Sequence, residues 1–250
     1  MAKEFAGLVA WVASVVKSMR PYSRMIWAAA LSKPAGQETW ASLYTQRLRL
    51  PLIWLLAAAK KQLGIFHRFF PLKSPTGELV LTFDASLTAG GATMSRYDGD
   101  KEVVVGYMRT QWTTEDMVAL NANCKDPAHQ VAWEAYMLLV ALCTWTSYLT
   151  EGRALRIRGD AQGVLQGVIR GQAKSASINL LIAEIQLVLA PVNYDLTAIH
   201  WSSDHNVVCD DLSRPERPMP AVLQCVKEDR VYRRHWHFLR SEAIRDLGYA

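Results

Sequence analysis

The sequence predicts an α/β protein with a five-stranded mixed sheet flanked by helices, a helical segment before this domain and a helical tail after it. Short apolar runs predict strands, and apolar residues at helical spacing predict helices. These elements follow one another in the order βββαβααβα, which is typical of a mixed sheet with helices on its faces. Of the 250 residues, 50% are hydrophobic, 20% are charged and nine are Trp. This composition excludes general disorder. At about 150 residues per domain, the length allows one large domain with an appendage.

Residues 1–72 are predicted to form a basic helical segment. Apolar residues recur at helical spacing over residues 5–30 until Pro21 interrupts them. The apolar face of this helix consists of Phe5, Leu8, Val12 and Val15. A second helical region is expected over residues 39–59, with a break near Pro51, because proline restricts the residue before it. The turn-rich residues 71–77 then mark a domain boundary.

Residues 73–216 are predicted to form the main domain. Three strands are expected at 78–86, 92–97 and 102–108, with a hairpin turn at Asp98-Gly99-Asp100 between the second and the third. A long helix over 129–148, a strand over 154–159 and two helices over 161–170 and 178–189 follow. A fifth strand over 195–201 and a short helix over 207–214 complete the domain. Residues 217–250 form a basic tail, which is expected to be helical.

Charge is unevenly distributed along the chain. Residues 1–72 contain ten basic and two acidic residues, a net charge of +8. Residues 73–216 contain eleven basic and seventeen acidic residues, a net charge of −6. Residues 217–250 contain seven basic and four acidic residues, a net charge of +3. Basic arms around an acidic domain suggest a polyanionic partner near a site that needs carboxylates. The alternative is that the arms simply have solvated faces.

The composition also predicts the compartment. The four cysteines show no metal-binding spacing, which suits reduced thiols inside a cell. The longest apolar runs, 5–16 and 51–59, are shorter than the ~20 residues that span a bilayer. We therefore expect an intracellular protein with no membrane span, and the nucleus, the cytoplasm and the mitochondrion all stay open.

Four acids occupy special positions in this order of elements. Asp84 lies in the apolar first strand, Glu134 in the long helix, Asp160 at the end of the fourth strand and Asp210 in the last short helix. Carboxylates in apolar elements are unfavourable unless they are paired or bind a cation. If strands one and four are neighbours, Asp84 and Asp160 meet at one sheet edge, where the long helix can bring Glu134. Such a cluster suits Mg²⁺, and two such ions can support phosphodiester hydrolysis.

The stretch from about residue 78 to residue 214 resembles the ribonuclease H domain of retroelement reverse transcriptases, in particular the DIRS-like group. The strongest match is Asn206-Val-Val-Cys-Asp210-Asp211-Leu-Ser-Arg214, which is similar to the Asn-x-x-Ala-Asp-x-Leu-Ser-Arg ending of that family. The other matching residues are Phe83-Asp84-Ala-Ser, Gly90-Gly91-Ala92, Glu134 and Gly159-Asp160-Ala. Residues 1–72 resemble the thumb or connection segment that precedes this domain.

The resemblance implies a ribonuclease H-like fold and a metal-dependent endonuclease that hydrolyses the RNA strand of RNA–DNA hybrids. It implies that Asp84, Glu134, Asp160 and Asp210 are catalytic and bind two Mg²⁺ ions, or Mn²⁺. A histidine before the last acid assists product release in such proteins, and His200 and His205 compete for that role. His200 is assigned to the fifth strand, which leaves His205 nearer the site, and a purely structural role for both stays open. The implied partners are an RNA–DNA hybrid or RNA, with a polymerase subunit or a larger ribonucleoprotein assembly.

A second interpretation stays open, that of a domesticated, non-catalytic ribonuclease H-like module serving as a structural or RNA-binding subunit. The complete set of carboxylates favours the nuclease. The lack of a basic protrusion between residues 149 and 175 and of a polymerase core favours the module. Polymerase activity itself is excluded, because Val208-Cys209-Asp210-Asp211 lacks the aromatic residue of a polymerase palm motif.

Overall fold

The structure is a computed structural model that describes residues 2–31, 45–62, 77–149, 154–190 and 195–233. The described residues form two compact units, one within residues 2–62 and one within residues 77–233. The predicted domain boundary at 72/73 lies outside the described residues and stays a prediction. None of the described helices combines the length and the apolar character that crossing a membrane requires.

The first unit consists of three helices. They are α1 (Ala2–Val15), α2 (Arg20–Leu31) and α3 (Thr45–Ala59), with a 3-10 turn at Lys17–Met19 between the first two. Ala6 and Val9 of α1 pack against Ile26 of α2. The ring of Tyr22 stacks on that of Trp54 at 4.4 Å between centroids, which joins α2 to α3. The helical character predicted for these residues is confirmed.

Two details of this unit differ from the prediction. Helix α1 ends before Val16 and therefore well before Pro21. Pro21 lies in the first turn of α2, where a backbone N–H has no acceptor within the helix, so the missing N–H of proline does not weaken α2. Pro51 lies inside α3 and does not end it. The bond lost at Pro51 is offset because the next turns bury Ile53, Trp54 and Ala57. Residues 39–44 of the predicted helix lie outside the described residues.

The face of α1 that packs within the unit is not its most apolar one. Small residues, Ala6 and Ala13, are buried together with Val9, because small side chains let α2 approach closely. Phe5 and Leu8 remain 42% and 60% exposed.

The second unit is built on a five-stranded sheet, as predicted. The strands are β1 (Glu78–Ala85), β2 (Ala89–Asp98), β3 (Lys101–Gln111), β4 (Ala154–Gly159) and β5 (Asp195–His200). Their order across the sheet is β3-β2-β1-β4-β5. The pairs β1/β2 and β2/β3 are antiparallel, whereas β1/β4 and β4/β5 are parallel. The sheet order and the strand directions are those of the ribonuclease H-like fold.

Five helices accompany the sheet. They are α4 (Thr114–Leu120), α5 (Gln130–Thr144), α6 (Gln162–Arg170), α7 (Ala176–Leu189) and α8 (Val207–Leu212). Four of them were predicted to within a few residues at most ends. The exception is α4, which has seven residues and therefore offers too few turns for a recognisable apolar period; Thr113 and Asp116 cap it reciprocally.

Side-chain alternation in β1 assigns its two faces. Leu79, Leu81 and Phe83 point into the main core beside α5 and α7. Thr82 and Asp84 point to the other face, where the Cys209 thiol of α8 lies 3.3 Å from the Thr82 carbonyl oxygen. The sheet therefore separates a large apolar core from the surface on which α8 packs.

The predicted helical tail is wrong for the part that the structure describes. Within residues 217–233 only Ala221–Leu223 forms a 3-10 turn. The chain then runs beside β3: the Tyr107 amide donates to the Lys227 carbonyl, and the Asp229 amide donates to the Tyr107 carbonyl at 2.8 Å. Because β3 is an edge strand with unpaired backbone groups, an extended tail can satisfy them as a helix cannot. The indole of Trp145 donates to the Asp229 carboxylate at 2.8 Å and anchors the tail.

Candidate metal centre

Three of the four predicted acids converge. Asp84 lies near the end of β1, and Asp160 directly follows β4. In the parallel pair β1/β4, Thr82 lies opposite Arg158. Asp84 and Asp160 each come two residues later and therefore lie side by side. Glu134 reaches them from the second turn of α5. One carboxylate oxygen from each of the three lies within 4.8 Å of the others. We call Asp84, Glu134 and Asp160 the carboxylate trio.

The Glu134 side chain is buried and held in one orientation. Its Oε1 accepts hydrogen bonds from the Ala85 amide at 3.2 Å and from Gln130 Nε2 at 3.1 Å. Its Oε2 is buried with no hydrogen-bond partner among the described residues. Burial, reinforced by the charges of Asp84 and Asp160, raises the pKa of Glu134 well above its usual value. Without a cation, its surroundings therefore favour the protonated form of this carboxyl.

Asp84 is 5% exposed. Burial raises the pKa of Asp84 to about 7, and the charges of Asp160 and Asp210 raise it as well. The hydroxyl of Ser213 opposes this rise by donating to Asp84 Oδ2 at 2.6 Å, which favours the ionised form.

Asp160 is the most accessible member of the trio. Its Oδ2 accepts a hydrogen bond from Ser203 Oγ at 3.2 Å. Gly159 lets β4 end close to β1, since a Cβ there would lie 2.9 Å from the ring of Phe83. Close packing against Phe83 therefore explains why the residue before Asp160 is a glycine.

The trio fits a divalent cation. It supplies oxygen ligands only, as hard ions such as Mg²⁺ and Mn²⁺ prefer. Glu134 Oε2 is a buried acceptor that a cation would satisfy. Burial, and after it the repulsion between the acids, raises the pKa values of Asp84 and Glu134, and the charge of a bound cation would offset both effects.

Asp210 does not belong to the group of oxygens within 4.8 Å, although its charge acts on Asp84. Its Oδ1 accepts from Arg214 Nε at 2.9 Å and Nη2 at 2.7 Å, and its Oδ2 accepts from Arg217 Nη1 at 2.6 Å. Asp211, interpreted from the sequence as a variable position, shares Arg217 at 2.7 Å. The role of Asp210 as a fourth ligand stays a prediction.

The two candidate histidines lie where the sequence placed them. His200 ends β5 beside Gly159. His205 is exposed on the loop between β5 and α8, where its Nδ1 lies 2.8 Å from Ser202 Oγ. The same loop contacts Asp160 through Ser203. A role of His205 in product release stays a prediction.

Sequence reasoning missed three residues that contact the trio: Gln130, Ser203 and Ser213. Gln130 precedes Glu134 by four residues, which places both on one face of α5, so helix spacing could have found it. Ser213 lies inside the matched ending, where it was read only as part of the pattern. No signal in the sequence singles out Ser203, because its contact depends on the path of a loop.

Comparison with known proteins finds similarity only among solved structures. The sequence matches no known protein family and no curated protein. Ribonuclease H1 from the halophilic archaeon Halobacterium salinarum NRC-1 is 17% identical, with a TM-score of 0.39, and the match covers 54% of this chain and 94% of that one.

Two further similar structures are larger proteins. The PPX-GPPA enzyme of Aquifex aeolicus is 12% identical, with a TM-score of 0.23, over 50% of this chain and 36% of that one. A foamy viral protease-reverse transcriptase, solved with double-stranded DNA, is 13% identical, with a TM-score of 0.27, over 80% of this chain and 34% of that one. This chain thus spans about a third of each of these two proteins. The fold assignment rests on the strand order and directions, and these similarities say nothing about activity.

Proposed function

We propose that this chain is a metal-dependent nuclease of the ribonuclease H type, which hydrolyses the RNA strand of RNA–DNA hybrids with two Mg²⁺ ions or Mn²⁺. The observation that carries the proposal is the carboxylate trio, with its oxygens within 4.8 Å of one another. Two of its members are buried. Gathering three acids in this way is unfavourable for an isolated fold and is compensated when they bind cations.

Each residue of the site has a role in this proposal. Asp84, Glu134 and Asp160 bind the cations, which when bound activate a water and stabilise the leaving oxygen of the phosphodiester. The Ala85 amide and Gln130 occupy Glu134 Oε1 and leave Oε2 available as a ligand. Protons compete with a cation for Asp84 and Glu134, because the pKa values of both are raised and only the ionised carboxylates are ligands.

Asp210 and His205 act at the edge of the trio in this proposal. Asp210 becomes a fourth ligand when its carboxylate turns from Arg214 and Arg217. His205 assists product release from the exposed loop after β5.

The proposed partners follow from charge. An RNA–DNA hybrid or an RNA approaches the acidic domain with the help of the basic segments, of which residues 1–72 have a net charge of +8. A polymerase subunit or a larger ribonucleoprotein assembly supplies the substrate.

One observation favours the alternative function, a non-catalytic RNA-binding or structural subunit. The fourth acid, Asp210, is already neutralised by two arginines. A subunit of this kind would bind a hybrid and leave it intact.

The deciding experiment is cleavage of a labelled RNA–DNA hybrid with Mg²⁺ or Mn²⁺, with RNA–RNA and DNA–DNA duplexes for comparison. We expect the wild type to cut the RNA of the hybrid and the Asp84→Asn variant to be inactive. Asp98→Asn, at the exposed end of β2, is the matched control and should cut normally. A wild type that binds the hybrid but cleaves it with neither metal would overturn the nuclease and support the subunit.

A further inference from the structure

Two arginines lie at the edge of the carboxylate trio and have not been assigned a role there. Arg214 and Arg217 follow α8, and both bind the carboxylate of Asp210. The side chains of Arg214 and Arg217 are nevertheless 44% and 40% exposed. Their guanidinium groups therefore form a surface that solvent and ligands can reach.

This surface is adjacent to the trio through the backbone. Ser213, which directly precedes Arg214, is fully buried and donates to Asp84 Oδ2 at 2.6 Å. The charge of Arg214 also acts on Asp84 and partly opposes the rise in the pKa of that carboxyl. A ligand bound to Arg214 would therefore lie next to the trio.

The guanidinium groups keep unused donors. Each guanidinium carries five N–H groups. Arg214 uses Nε and Nη2 on Asp210, and among the described residues nothing accepts from its Nη1. Arg217 uses Nη1 on Asp210 and Asp211, so its Nε and Nη2 have no acceptor within the described part of the chain. The forked geometry of guanidinium suits bidentate contacts with phosphate oxygens.

Asp210 holds both groups in place for such a ligand. Its two oxygens accept from different arginines, so the two guanidinium groups are held side by side. Exposed ion pairs of this kind stabilise a fold only weakly, so they account poorly for two arginines converging on one acid.

We propose that Arg214 and Arg217 form a phosphate-binding subsite that holds the nucleic-acid backbone beside the carboxylate trio, with Asp210 as the residue that positions them in the metal-free protein. The identity of the ligand rests on the proposed function, because a nuclease site must hold phosphates next to its metal ligands. The subsite fixes the register of the bound strand, since Arg214 is one residue from the contact with Asp84.

The test measures binding of a fluorescent RNA–DNA hybrid to the full chain by anisotropy, in EDTA so that no cleavage occurs, at several KCl concentrations. Each phosphate contact adds ~0.9 to the slope of log K against log salt for duplex DNA. We expect the Arg214→Gln/Arg217→Gln variant to bind about tenfold more weakly, with a slope lower by about 1 to 2. Arg96→Gln is the control: it removes an exposed charge from β2, beside the first residues of β1, and should change the affinity less than about twofold.

The Arg214→Lys/Arg217→Lys variant separates loss of the subsite from loss of the fold. It keeps both charges, so we expect it to retain the salt slope and to lose affinity because lysine lacks the fork. If the double Gln variant does not fold, a Lys variant with wild-type affinity overturns the subsite. If the Gln variant folds, an affinity and a slope no lower than those of Arg96→Gln overturn it.

The two proposals fail separately in these assays. A wild type that binds the hybrid through Arg214 and Arg217 but never cleaves it would contradict the proposed nuclease activity and support the phosphate-binding subsite. If the wild type cleaves the hybrid and substitution of both arginines leaves hybrid binding unchanged, only the phosphate-binding subsite is contradicted. A wild type that binds no hybrid overturns the subsite.

Discussion

The hydroxyl of Ser213 donates a hydrogen bond of 2.6 Å to Oδ2 of Asp84, across 129 positions of sequence. The bond ties the end of α8 to the acid at the end of β1, and Ser213 is fully buried. It explains why a serine between Leu212 and Arg214 matters to a site whose acids lie elsewhere in the chain.

Ser213→Ala should weaken magnesium binding most at low pH. The hydroxyl favours the ionised form of Asp84, so its loss raises the pKa of Asp84 further above about 7. Calorimetric titration with Mg²⁺ at pH 6.5 and pH 9 measures this, and we expect a larger loss of affinity at pH 6.5. Ser175→Ala, at an exposed serine before α7, is the control. Equal losses at both pH values would contradict this role of the hydroxyl.

Asp84→Asn should stabilise the metal-free protein at high pH. The pKa of Asp84 is about 7 in the folded state against an ordinary value of 3.8, so its contribution to stability is complete below pH 3.8 and is lost as the pH rises through 7. The amide does not ionise, and at pH 8 the variant should gain on the order of 4 kcal/mol. Urea unfolding in EDTA at pH 4 and pH 8 measures the difference, which should nearly vanish at pH 4.

The control for that measurement is Asp98→Asn, which removes an exposed charge from the end of β2. Its stability should follow that of the wild type at both pH values. An Asp84→Asn variant less stable than the wild type at pH 8 would mean that the carboxylate is stabilised by its surroundings.

Magnesium should raise the unfolding temperature of the wild type and not that of Asp160→Asn. Only the folded state brings the trio together, so binding adds about 2.7 kcal/mol at a concentration one hundred times Kd. Removing one of three ligands weakens the site and should abolish most of this gain. Asp204→Asn, in the exposed loop beside Ser203, keeps the trio intact and serves as the control. Thermal melts with and without Mg²⁺ measure the effect, and equal gains in Asp160→Asn and wild type would exclude Asp160 as a ligand.

Gly91→Ala should destabilise the fold and displace α8. A Cβ at Gly91 would lie 2.2 Å from Leu212 Cβ and 2.8 Å from the Leu212 backbone carbon, so the helix has to move. Overpacking of this kind destabilises by roughly 1–3 kcal/mol, and the movement would also shift Ser213. Gly163→Ala in α6 meets no atom within 4 Å and should be neutral or stabilising by up to about 1 kcal/mol. Denaturant unfolding compares the two, and equal stability of both variants would contradict the close contact of α8 with β2.

Much of the second unit was determined by the sequence itself. The apolar run in β1 and the alternation of apolar residues with Arg156 and Arg158 in β4 reflect burial of strand side chains. Burial of this kind acts over a few residues and is therefore visible in the sequence. The acids stand near the ends of those two strands, so once the strands are parallel neighbours Asp84 and Asp160 must meet. That is why the convergence of the trio could be predicted.

Tertiary structure alone decided how the rest of the site is arranged. Whether Asp210 faces the trio or Arg214 and Arg217 depends on the placement of a six-residue helix and on side-chain distances that no local period encodes. The tail became an extended segment because the edge of β3 offered unpaired backbone groups, and Pro51 stayed inside α3 because its neighbours are buried. In each case the deciding free energy comes from groups that lie apart in the sequence and meet only when the chain has folded.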